Sequence, residues 1–115
     1  MQYALLINEL PGAFEALDVA EQDAVSAEYI AIRSDPRVFG GAHLGPAHSA
    51  STVRLKEGDA LVTDGPFADT KEVFGGYFLL EADDLDAAIA LAVKIPATRL
   101  GGSVEIRPIV PSGPA

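Results

Sequence analysis

The chain has 115 residues, 49% of them apolar and 22% charged, which is enough apolar material for one packed core and too short a length for a second. Its 17 acidic against 8 basic residues leave a formal net charge of −9, a field that repels phosphate backbones and anionic membrane surfaces and so argues against direct nucleic-acid or membrane binding. Cysteine is absent, which excludes disulfides, thiolate metal sites and a cysteine nucleophile.

The opening segment, Gln2 to Asn8, suits a pleated surface and stops at Glu9-Leu10-Pro11-Gly12, so it is read as the first strand. It lacks the basic flank and the apolar run of roughly 7–15 residues that mark a secretory signal. No later run approaches membrane-spanning length, and the expectation is a cytoplasmic protein. Both faces of this strand are apolar, with Tyr3, Leu5 and Ile7 on one side and Ala4 and Leu6 on the other, a pattern that calls for cover on each side of a sheet.

Asp18 with Glu21 three residues on has the spacing of a helix N-cap with a returning carboxylate. Val25, Tyr29 and Ile32 then recur at helical spacing until Ser34-Asp35-Pro36 ends the helix. Arg37 to Leu44 reads as a short strand around Gly40-Gly41, followed by a loop with Pro46 and His48. Ser51 to Leu55 and Ala60 to Thr63 read as two strands joined by a hairpin turn at Lys56-Glu57-Gly58-Asp59, the second running into Asp64-Gly65-Pro66-Phe67.

Val73 to Leu80 is apolar on both faces and therefore belongs in the centre of a sheet. Asp83 or Asp84 caps a second helix whose expected stripe is Leu85, Ala88, Ile89, Ala92 and Val93, ending at Pro96. Ser103 to Ile109 is the last strand. The whole reads as one domain over residues 1–110 with a loose tail at 111–115. The fold class is α+β, a split βαβ pattern with an elaborated middle, giving a ferredoxin-like antiparallel sheet with two helices on one face. The bare second face then needs a partner, and a second copy of the chain is the simplest one.

The stretch Leu61-Val62-Thr63-Asp64-Gly65-Pro66-Phe67-Ala68-Asp69-Thr70-Lys71-Glu72, followed by Gly75-Gly76-Tyr77-Phe78-Leu79, closely resembles the signature of the YCII-related domain family of the Asp-Gly-Pro-Phe type. Thr52-Val53-Arg54, Asp84-Leu85-Asp86-Ala87-Ala88, Ile95-Pro96-Ala97 and Val104-Glu105-Ile106-Arg107-Pro108 extend the resemblance over most of the chain. It implies a dimeric α/β-barrel, in which two ferredoxin-like sheets pack face to face around a shared cavity. It also implies a family in which a His and Asp pair has been proposed as catalytic, and some of whose members are associated with extracytoplasmic-function sigma factors.

Among candidate catalytic groups, Asp64 ends an apolar strand at a Gly-Pro turn, where a carboxylate held at a cavity edge would suit general acid or base work. The alternative is an Asx-type role, accepting backbone N–H bonds from its own turn. His43 and His48 are the two histidines, and either could act as a base paired with Asp64. His48, in the loop, is the choice. Both histidines with Asp64 or Asp69 would make a metal set of imidazole and carboxylate, but their spacing is not diagnostic and no metal is assigned.

Arg54, Lys71 and Glu72 are candidate ligand-binding residues: Lys71 and Glu72 at a cavity mouth, Lys71 or Arg54 holding an anionic group. The plainer alternative for Lys71 is a surface ion pair. The glycine pairs at 40–41, 75–76 and 101–102 form neither a dinucleotide fingerprint nor a P-loop and are read as allowing bulges or close strand approach. No serine sits in a nucleophile elbow, and no cofactor is assigned. Two functions follow as expectations: a dimeric small-molecule-binding protein or enzyme with an Asp-based proton-transfer site, or a non-enzymatic module binding a protein partner such as a sigma factor.

Overall fold

The structure, a computed structural model, describes residues 1–66 and 70–111. Phe67 and Asp69 of the motif, and the tail beyond residue 111, lie outside the described residues. In chain order the elements are β1 (Gln2–Glu9), α1 (Val19–Arg33), β2 (Val38–His43), β3 (Ser51–Lys56), β4 (Asp59–Asp64), β5 (Val73–Glu81), α2 (Leu85–Ala92) and β6 (Ser103–Pro108), with single 3₁₀ turns at Ala47–Ser49 and Pro96–Thr98. No helix among the described residues is long and apolar enough to cross a membrane.

Four strands make one antiparallel sheet in the order β2-β5-β1-β6, which is the ferredoxin-like order. The two strands that were apolar on both faces, β1 and β5, are its centre, as such strands must be when neither face is left to water. Tyr3, Leu5 and Ile7 of β1 and Phe78 and Leu80 of β5 point to one side. There they meet Ile32 of α1, Ala88 and Leu91 of α2, and Ile95 and Ala97 beyond it. Leu5 and Leu80 are wholly buried, and each contributes roughly 1.5–3 kcal/mol of apolar burial. Both helices thus cover the same face. Ala4, Leu6, Tyr77 and Leu79 point to the other and are only half-buried.

Both helix starts follow from their caps: Asp18 accepts a 2.8 Å bond from the Glu21 N–H, and Asp84, not Asp83, accepts one of 2.8 Å from the Ala87 N–H. The stripe expected for α2 is corrected. Ala88, Leu91 and Ala92 are buried, while Leu85, Ile89 and Val93 are exposed. A two-turn helix that is apolar on most sides does not fix its own rotation, and the small Ala88 and Ala92 let the helix axis come close to the sheet.

The hairpin expected from the Ser51 and Ala60 strands is present, and its place in the fold is what the sequence reading left open: β3 and β4 form a separate two-stranded sheet outside the four-stranded one. Its turn is the two-residue Glu57-Gly58, both at positive φ (53° and 86°), the geometry that matches strand twist. Nearly every hairpin residue is exposed. The radius of gyration of 16.2 Å exceeds the roughly 13 Å expected of a compact chain this long, because the arm stands away from the body.

Candidate functional site

The glycines of β2 and β5 shape a large concavity. A Cβ at Gly76 would lie 2.7 Å from the Ala42 oxygen, and one at Gly41 (φ 149°) would collide with the Tyr77 carbonyl. Bare backbone therefore lets β2 approach β5 and leaves no side chains to fill the space beside α1. What results is a groove of about 1200 Å³ between α1, the segment from Leu10 to Glu15, and the β2–β5 edge.

Its walls carry Glu9, Tyr29, Arg33, His43 and His48. His43 arrives from the end of β2 and His48 from the 3₁₀ turn that follows it, so both histidines line one groove although a proline-containing loop separates them in sequence. Tyr29 is half-buried, its ring 6.4 Å from that of Phe78 at 30°. Burial, and after it the negative charge of Glu9, pushes its hydroxyl up to about 12, so it stays protonated at neutral pH. The Glu9 carboxylate lies over Gly75: a Cβ there would be 2.5 Å from Glu9 Cδ.

Glu9 and Tyr29 were missed as site residues. Glu9 stands in the sequence at a chain break, yet it continues the inward phase of Tyr3, Leu5 and Ile7, a period-two signal. Tyr29 was legible only as a member of the helix stripe.

Asp64 is exposed at the end of β4, opposite Ser51, and does not line the groove. The backbone donors beyond Pro66 that an Asx-type role of Asp64 would use lie outside the described residues. Its turn is nonetheless tied to the histidine segment: the Gly65 N–H donates to the Ala50 oxygen at 2.7 Å, and Thr52 Oγ1 donates to the Gly65 oxygen at 2.8 Å. Arg54 sits mid-strand on the exposed arm opposite Leu61, and Lys71 is exposed. Glu72 lines a second, mostly apolar hollow of about 530 Å³ with Asn8, Pro66 and Phe74, and accepts a 2.5 Å bond from Ser103 Oγ. Among the described residues no three His, Asp or Glu side chains cluster as a metal site would require.

The YCII-related domain model matches residues 1–112. The chain belongs to the YCII-related domain family. An uncharacterised protein of Rhizobium meliloti (strain 1021) is 41% identical to this YCII-related protein over 114 residues, covering 95% of this chain and 92% of its own. Among solved structures, the 5-chloro-2-hydroxyhydroquinone dehydrochlorinase of Burkholderia phenoliruptrix AC1100, in complex with 2,5-dihydroxybenzoquinone, superposes with a TM-score of 0.53. That match covers 96% of this chain and 94% of the other at 15% identity, a likeness of fold. It agrees with the α+β, ferredoxin-like architecture of this YCII-related protein.

Proposed function

We propose that this YCII-related protein binds a small molecule in the groove beside α1 and that His48, with His43, moves protons on it. The observation that carries the reading is that both histidines and a half-buried tyrosine line one concavity large enough for a ring-sized compound. Imidazole is the side chain whose proton moves near neutral pH, and both rings are exposed to whatever enters. The structural neighbour is an enzyme holding a ring ligand, which supports a small-molecule role for this fold. Proton transfer is assigned to the histidines rather than to Asp64, which stands outside the groove; the Asp64-Gly65 turn holds the Ala47–Ala50 segment, and with it His48, in place.

The protein acts as a dimer in this reading. The open sheet face is one support, and the arm is another: Val53, Leu55 and Val62 share one exposed face of the hairpin at 62%, 78% and 59% exposure, more apolar surface than an arm in water favours. Titrating a library of small hydroxylated and carboxylated rings while recording the imidazole resonances tests the site. Saturable shifts of His43 and His48, abolished for the same compounds by His48→Ala in a folded variant, support it. A library that leaves both imidazoles unmoved defeats it.

A further inference from the structure

β1 sends Tyr3, Leu5 and Ile7 into the core, and Glu9, next in that phase and paired with Val73, into the groove wall. An acid in that position ordinarily meets a cation or a donor. Among the described residues the Glu9 carboxylate makes neither a hydrogen bond nor an ion pair. Its seat is specific: the register between β1 and β5 shifts at Ile7/Asn8, leaving Gly75 as the extra residue. A Cβ on Gly75 would come within 2.5 Å of Cδ, 2.6 Å of Oε2 and 2.9 Å of Oε1. The carboxylate therefore occupies the volume that any other residue at position 75 would fill.

The walls around it define what it meets. Phe14, Tyr29, Phe39 and Phe78 line the groove, four of the eight aromatic residues in the chain, and such walls favour a flat ring. An anion entering would face Glu9 and Glu15. A cation would face Arg33. An uncharged ring is the occupant that both sets tolerate. The Tyr29 hydroxyl, neutral at ordinary pH, leaves Glu9 as the fixed acceptor.

We propose that Glu9 is the specificity residue of this groove, its carboxylate, seated in the space left by Gly75, accepting a hydrogen bond from the hydroxyl of an uncharged, flat ring. This rests on the groove being a ligand site and adds to it the class of ligand. A groove-wall carboxylate that has no partner among the described residues gains from a donor and loses if the donor is capped, so a hydroxylated ring is preferred over its methyl ether by about tenfold in affinity.

The test titrates catechol, its dimethyl ether and benzylamine into the full chain and into Glu9→Ala and Glu9→Gln, the second being isosteric should the alanine variant fold poorly. Amide shifts of Gly75 and Gly76 and the two imidazoles report binding. The expected result is catechol about tenfold tighter than its ether in the wild type, with the gap closing to about twofold in Glu9→Ala because catechol weakens while the ether does not. A gap that survives both substitutions overturns the role of Glu9, and benzylamine binding tighter than catechol overturns the ligand class. Catechol and ether binding equally, with the imidazoles shifting, sinks this inference and leaves the groove as a ligand site. No binding by any of the three sinks both.

Discussion

The α-carbon of Gly76 faces the Ala42 carbonyl so closely that a Cβ would stand 2.7 Å from the oxygen. Gly76 pairs with His43 in the register of β5 and β2, so the contact that draws the edge strand in also sets where one groove histidine starts. Gly76→Ala should cost about 1–3 kcal/mol, since backbone rather than a flexible side chain must give way. The cost should come with shifted amides throughout β2. Gly58→Ala is the contrast: nothing lies within 4 Å, but φ is +86°, so about 1 kcal/mol of local strain is expected, felt in the arm rather than the core. Urea melts of the two variants check this, and a Gly76→Ala protein as stable as wild type would refute the close approach.

The cap of α2 gives a sharper comparison. Asp84 accepts the Ala87 N–H at 2.8 Å, and Asp83, its neighbour, takes no part. Asp84→Ala should lower stability by about 1 kcal/mol, while Asp83→Ala should be close to neutral or slightly stabilising in a chain of net charge −9. Equal effects from both substitutions, measured by thermal unfolding, would mean that charge near the helix start matters and the hydrogen bond does not.

That pair also marks how far sequence could go. An N-cap is a local signal, and both helix starts were legible to within one residue. The central places of β1 and β5 were legible because apolar residues on both faces leave a strand nowhere else to sit. The departure of β3 and β4 into an arm was not, since Val53 and Val62 suit a strand equally well inside the sheet or out of it; edge pairing is a tertiary choice. The site divided the same way. His48 is legible as a loop imidazole, and the glycine pairs 40–41 and 75–76 as places for bulges or close strand approach, as found at Gly41, Gly75 and Gly76; the groove that unites His48 with His43, Tyr29 and Glu9 is not legible, because it depends on which elements those approaches bring side by side.

Asp35 is held by Arg37, which donates from Nε at 3.1 Å and from NH2 at 2.9 Å, and the Arg37 N–H adds a third bond at 2.9 Å. These side-chain bonds, then the backbone bond, lower the carboxyl from 3.8 to about 2. A depressed folded value means that the contribution is complete above the unfolded value and is lost as pH falls from about 4 through about 2. Because the pair is solvent-screened, the contribution is at most about 1 kcal/mol. Arg37→Ala should move the carbon titration of the Asp35 carboxyl up toward the ordinary range without reaching it, because the backbone N–H of residue 37 still donates. The stability difference from wild type should shrink across that acid window, and a difference constant from neutral pH to pH 2 would contradict the linkage.

Tyr29 reports on the groove from the alkaline side. Its hydroxyl is raised from 10.0 to about 12 by burial first and by the charge of Glu9 second. A raised folded value contributes stability that is whole below pH 10 and is lost as pH climbs from 10 toward 12. In a phenolate absorbance titration Tyr29 should ionise above the ordinary tyrosine range, and Tyr29→Phe should remove that late step. Glu9→Gln should move it to lower pH while leaving part of the rise, because burial remains. An unmoved late step would place Glu9 farther from the hydroxyl than the structure does.

Leu79 and Leu80 are neighbours on β5 that separate assembly from folding. Leu80 is fully buried against the helices, whereas Leu79, paired with Ala4, lies half-buried on the open face. A buried aspartate without a partner costs several kcal/mol, so Leu80→Asp should not fold. At position 79 the same charge meets water in a single chain and a second apolar sheet in a dimer. Light scattering of wild type should therefore give twice the 12.0 kDa chain mass, and Leu79→Asp should give one chain mass with the melting curve of a folded domain. A wild type that weighs one chain at micromolar concentration defeats the dimer. A Leu79→Asp protein that stays dimeric would move the interface off this face, leaving the apolar side of the hairpin, Val53, Leu55 and Val62, as the surface through which two copies meet.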